Sequence, residues 1–78
     1  MGMEYNEIVD IAIRKARIMK RKFTAIIERS NGWGIVQNLY EYRKYYKNVV
    51  LVYQDGTTKS CEDYVNENNI DPRKLTLH

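Results

Sequence analysis

The densest charge in this chain lies in Arg14-Lys15-Ala16-Arg17-Ile18-Met19-Lys20-Arg21-Lys22, where six of nine residues are cationic and none is acidic. Guanidinium forks pair bidentately with phosphate or carboxylate, whereas ammonium groups act as point charges. On a helix Arg14, Arg17 and Arg21 share a face, and Arg17 and Arg21 repel at i,i+4 by a few tenths of a kcal/mol. A face that keeps like charges together suits a polyanion. Such a stripe binds without reading sequence, because phosphate contacts position a protein and base contacts specify.

A second segment, Tyr40-Glu41-Tyr42-Arg43-Lys44-Tyr45-Tyr46-Lys47, interleaves rings with cations. That pattern suits stacking on unpaired bases backed by phosphate contacts. It also suits a protein interface, where Tyr and Arg are common hot spots. Trp33 divides in the same way between core anchor and exposed contact. Against both stands the plainer expectation that half the tyrosines are core and the charges are solvated surface. Together the segments give a candidate contact set of Arg14, Arg17, Lys20, Arg21, Lys22, Tyr42, Arg43, Lys44, Tyr45 and Lys47. The partner expected for it is nucleic acid or an acidic protein surface.

Catalytic patterns are missing. Nucleophilic catalysis needs a nucleophile, a base and an orienting group. His78 is the only histidine and the last residue, and Cys61 the only cysteine, so no Cys/His pair or zinc spacing exists. Cys61 sits at an expected helix start, which lowers a thiol pKa, but beside Glu62 and Asp63, which raise it. Those two carboxylates point about 100° apart on a helix and read as helix-start acids. Gly32-x-Gly34 lacks the rest of a phosphate-binding loop. The chain is therefore expected to be no enzyme, with no catalytic residues, no cofactor and no metal.

The totals narrow the setting. A chain of 78 residues is one domain with a thin core. With one cysteine it has no internal disulfide, so packing or self-association must stabilise it. The lone thiol and the charges Glu4, Glu7, Asp10 and Arg14 near the start fit a cytoplasmic protein without a signal peptide. No apolar run reaches the roughly 20 residues of a membrane span, and no membrane partner is expected. Met1-Gly2 ahead of Met3 resembles an expression tag, so residues 1–3 are expected to be tag or disordered. Residues 1–47 carry ten Lys/Arg and five Asp/Glu, a balance of +5, and residues 48–78 carry three and five, a balance of −2. Such asymmetry can steer an acidic partner to one side. Lys, Asn, Ile and Tyr, all with AT-rich codons, are abundant, a composition associated with phages and other mobile elements.

The elements that would position these residues follow from periodicity. Over 4–21, Tyr5, Ile8, Val9, Ala12, Ala16 and Met19 recur at spacings of three and four, predicting an amphipathic helix with Asn6 as its N-cap. Ile11 and Ile18 lie seven apart beside that arc and either widen the core or form a seam for a second copy. Residues 22–29 and Trp33 to Gln37 read as a hairpin turned at Ser30-Asn31-Gly32, with Gly34 marking a bulge or a close backbone approach. Asn38 and Glu41 resemble a capping box, favouring a short helix in 38–47 over a continued strand. The apolar run Val49 to Tyr53 predicts a central strand covered on both faces. Asp55-Gly56 turns it into a strand at 57–59, and Ser60 caps a helix at 61–68. Lys74 to His78 alternates like a final edge strand.

The expected fold class is α+β: a two-layer single domain over 1–78. Its N-terminal amphipathic helix packs on a 3–5 stranded, mainly antiparallel sheet of two hairpins, with a second short helix near the C-terminus. The expected function is a non-enzymatic binding or regulatory module touching nucleic acid through the basic helix face. The alternative is a small protein-interaction module, an inhibitor or adaptor of a larger enzyme. Homodimerisation through Ile11 and Ile18 is a further expectation.

Overall fold

A computed structural model of the chain describes residues 2–76. Helix α1 (Tyr5–Ile18) precedes strands β1 (Phe23–Arg29) and β2 (Gly32–Ile35). Helix α2 (Leu39–Lys44) and a 3-10 turn (Tyr46–Asn48) lead into β3 (Val49–Tyr53) and β4 (Thr58–Ser60). Helix α3 (Cys61–Asn68) and a second 3-10 turn (Pro72–Lys74) complete the order. The sheet is antiparallel throughout, in the order β2-β1-β3-β4. The α+β class and the two hairpins stand as the sequence predicts.

Strand parity divides the core in two. Ile26 and Val52 face α1, where Ile8 and Ala12 meet them with Trp33, Ile35 and Val50 alongside. Phe23, Ala25, Ile27, Val49 and Leu51 face the other way, against Val36, Tyr42, Cys61, Val65 and Leu75. Helices therefore cover both faces, and β3 is buried on both, as its unbroken apolar run implies. The expected two layers become three, because α2 and α3 take the face opposite α1. Truncating Ile26 or Leu51, both fully buried, would cost about 2–5 kcal/mol.

Helix α1 lies close to the sheet because Ala12 and Ala16 offer only methyl groups. Thr24 Oγ1 donates to the Ala12 carbonyl at 2.9 Å, so this buried hydroxyl is satisfied. Two boundaries differ from the sequence reading. Glu4, not Asn6, holds the N-cap position, and it makes no side-chain cap. The helix ends at Ile18 rather than at Arg21, because Lys20 turns into the left-handed region with φ 54°. The N–H of Arg21 then donates to the Ala16 carbonyl at 2.9 Å and that of Lys20 to the Arg17 carbonyl at 3.3 Å. This is a Schellman ending with lysine where glycine is the usual occupant.

The 38–47 segment is helical at its start. Asn38 Oδ1 accepts the Glu41 N–H at 2.8 Å, while Glu41 Oε1 accepts from the N–H of Gln37 rather than that of Asn38. Glu41 also pairs with Arg29, whose guanidinium reaches it at 2.8 Å. That guanidinium lies across Gly34, where a Cβ would stand 2.2 Å from Arg29 Nη1. In place of the bulge or backbone approach expected at Gly34, a side chain crosses the strand there. In the second hairpin Gly56 takes φ 89°, and Asp55 Oδ1 accepts from the Thr57 N–H and hydroxyl. Those hydrogen bonds hold the Asp55 carboxyl below its ordinary range.

Three further expectations change. Gly2 and Met3, set aside as tag or disordered, bond to Asn31 and Trp33 on the outer edge of β2. Lys74 belongs to the 3-10 turn and Leu75 is buried beneath α2, so no strand begins there; Leu77 and His78 lie outside the described residues. Tyr42 is fully buried, and its hydroxyl has no hydrogen-bond partner among the described residues. Burial pushes that phenol well above its ordinary range and pushes the neighbouring Cys61 thiol up to about 11.

Candidate functional site

The end of α1, the turn after it and the start of β1 place Lys20, Arg21 and Lys22 at one end of the sheet. Gln54, at the β3–β4 turn, holds this connection. Its Nε2 donates to the Arg21 carbonyl at 2.6 Å and the Ala16 carbonyl at 3.3 Å. Arg17 Nε returns a hydrogen bond to the Gln54 carbonyl at 3.0 Å. The connection is thereby fixed by backbone carbonyls, the Gln54 amide and the Arg17 guanidinium, leaving Lys20, Arg21 and Lys22 with no side-chain hydrogen bond among the described residues.

Among the described residues, none of the cations of 14–22 meets a carboxylate. The ion pairs among the described residues are Arg29–Glu41, Lys59–Glu67 and Arg73–Asp71, all outside that segment. The side chains of Arg14, Lys15, Lys20, Arg21 and Lys22 make no hydrogen bond among the described residues. Arg14, Arg17, Lys20 and Lys22 are exposed; Lys15 and Arg21 are half-buried. Arg21 lies beyond the helix, so the expected face of Arg14, Arg17 and Arg21 does not form. Its place is taken by a cationic corner where helix meets strand.

That corner is concave and walled by tyrosine. Lys20, Arg21, Lys22 and Tyr64 line a shallow hollow of about 450 Å³. A neighbouring hollow of about 680 Å³ shares Lys22 and is lined by Tyr53, Gln54, Asp55, Thr57, Thr58 and Lys59. The two tyrosines belong together because each packs T-shaped on Phe23, with centroids 5.8 Å away in both cases. Phe23 is fully buried, so it fixes both rings while leaving them half-exposed. Lys59 is already paired with Glu67, which raises its pKa, and Asp55 adds a negative charge. The first hollow is therefore cationic and the second nearly balanced. Sequence spacing did not single out Tyr53 and Tyr64: they are eleven residues apart and meet only through the Phe23↔Tyr53 register.

The second sequence segment dissolves into separate roles. Tyr42 is core and leaves the contact set. Arg43 Nε donates to the Leu75 carbonyl at 2.9 Å and ties α2 to the C-terminal turn. Lys44 Nζ donates to the Tyr40 hydroxyl at 3.0 Å and lies over the rings of Tyr40 and Tyr45, at 5.4 and 5.5 Å from their centroids. The Tyr40 bond, first among several contacts, raises the Lys44 pKa. Tyr45 and Lys47 are exposed. These residues stand on the face opposite α1, so the two basic segments do not merge into one helix-borne surface.

Ile11 and Ile18 do share a groove. With Arg14, Lys15 and Met19 they line a hollow of about 440 Å³ on α1, and Ile18 is 79% exposed. Ile11 also packs against the core, so only the Ile18 end is bare.

No family model, curated protein or solved structure matches the chain.

Among the described residues no helix is long and apolar enough to cross a membrane, and no three or more His, Cys, Asp or Glu side chains cluster as metal ligands.

Proposed function

We propose that this chain is a non-enzymatic binding module whose partner is nucleic acid, held at the corner formed by Arg14, Arg17, Lys20, Arg21 and Lys22. One observation carries the reading: the densest run of cations in the chain has no carboxylate partner among the described residues, although ion pairs form elsewhere. Unpaired surface cations alone are common. Here, in addition, Lys20 occupies a backbone conformation that costs an L-residue roughly 1–2 kcal/mol, and glycine would avoid that cost. A strained position that carries a charge is a pointer to use.

Phosphate binding releases counterions, so affinity falls as salt rises. Three phosphate contacts from Lys20, Arg21 and Lys22 predict a slope of log K against log salt of about −2 on a single strand. Fluorescence anisotropy with labelled oligonucleotides over roughly 50–200 mM salt measures it. Affinity unchanged across that range would remove the reading.

A second reading rests on Ile18, whose exposure beside Arg14 and Lys15 suits docking on a protein with acidic and apolar groups. In that case the chain is an inhibitor or adaptor, or it pairs with a second copy of itself. Sedimentation of wild type and Ile18→Glu separates self-association from a foreign partner.

A further inference from the structure

Lys20, Arg21 and Lys22 could touch the phosphates of any nucleic acid, and charge alone does not choose among them. The shape around them does. A duplex keeps its bases stacked inside, and proteins read it by inserting a helix or a ribbon into a groove. This corner offers the reverse: two adjoining hollows that share Lys22 in their walls. Each hollow has one half-exposed tyrosine in its wall.

We infer that the ligand is an unpaired nucleic-acid strand, with phosphates on Lys20, Arg21 and Lys22 and successive bases against Tyr64 and Tyr53. This rests on the reading of the corner as a nucleic-acid contact and adds the strand state and the residues that select it. Three features support it. Rings stack on every base, so a tyrosine wall suits a strand of any sequence. Both rings are braced on the buried Phe23 ring, so little side-chain freedom is lost on binding. The charge differs between the hollows. Phosphate suits the first, whose charged residues are all cations. In the second, Asp55 repels phosphate and can accept from a base amino group, with Gln54, Thr57 and Thr58 as further polar neighbours.

The test compares a labelled oligothymidylate with a hairpin duplex of similar length, by anisotropy at low salt, on wild type, Tyr64→Leu and Tyr64→Phe. The single strand should bind at least about ten-fold more tightly than the duplex. Tyr64→Leu should weaken single-strand binding roughly 5- to 100-fold and leave duplex binding unchanged, whereas Tyr64→Phe should keep wild-type affinity. Equal affinity for both forms, or a Tyr64→Leu variant that binds like wild type, overturns the inference and leaves phosphate binding by the corner standing. Binding of neither form overturns both. Because Tyr64→Leu can weaken the fold, nitration of wild type by tetranitromethane gives a second readout. The single strand should protect Tyr64 and Tyr53 while exposed Tyr40 and Tyr45 continue to react. Protection absent from Tyr64 and Tyr53 overturns the inference in the wild-type protein itself.

Discussion

Replacing Lys20 by glycine should make the protein more stable and a weaker binder. Lys20 holds φ 54° at the end of α1, and its side chain is exposed with no hydrogen bond among the described residues. Deleting that side chain breaks no hydrogen bond or ion pair among the described residues. The left-handed conformation costs an L-residue roughly 1–2 kcal/mol, and glycine is free of that cost. Against this, glycine gives the unfolded chain more freedom, roughly 0.5–1 kcal/mol. The difference is a net gain of about 0–1.5 kcal/mol, with a middle value of about 0.75 kcal/mol, since the two ranges meet only at their limits. In a domain of this size that middle value raises Tm by about 3–6 °C. Lys20→Ala is the control. It removes the same charge but keeps a Cβ, so it should bring no such gain. Both variants should flatten the salt dependence of single-strand binding by about 0.7 in slope, one phosphate contact. Thermal unfolding followed by circular dichroism, with anisotropy on the same samples, measures both effects. A Tm for Lys20→Gly at or below that of Lys20→Ala would show that any strain at this turn is no larger than the freedom glycine gives the unfolded chain, which would refute the reasoning. A salt slope equal to wild type would show that Lys20 meets no phosphate.

Two further outcomes follow from the packing. Gly34→Ala places a methyl on the path of the Arg29 guanidinium and should drive it from Glu41, lowering stability by about 1–2 kcal/mol. In an Arg29→Ala background the same change should be nearly harmless, so urea denaturation of the double-mutant cycle should show strong non-additivity; additive losses would contradict the clash. The buried Cys61 thiol, pushed up to about 11 by desolvation, holds its proton in the folded chain where the unfolded chain has released it. Its contribution to stability should thus be complete below about pH 8.5 and be lost as pH rises toward 11, with Cys61→Ala removing part of that fall. Denaturation midpoints across that range check the sign, and a native thiol that reacts with an aromatic disulfide as fast as the unfolded chain does would refute the burial.

Local chemistry alone determined much of this protein. The helix period of Ile8, Ala12 and Ala16, the glycine at the Asp55-Gly56 turn and the caps at Asn38 and Ser60 act within a few residues, so they are legible in sequence. The apolar run of β3 likewise announced burial on both faces. Other features depend on which strands become neighbours. That choice sent Tyr42 into the core, crossed Arg29 over Gly34 to reach Glu41, and put α2 and α3 on the face opposite α1. It also decided the candidate site. The run of cations was visible as composition, but its corner shape comes from Lys20 turning left-handed under the hold of Gln54, more than thirty residues away. Tyr53 and Tyr64 entered that corner because both pack on Phe23, a contact made by pairing β1 with β3 and laying α3 across them. Spacing along a chain fixes which side of its own element a residue faces, and only the meeting of elements fixes what that residue faces.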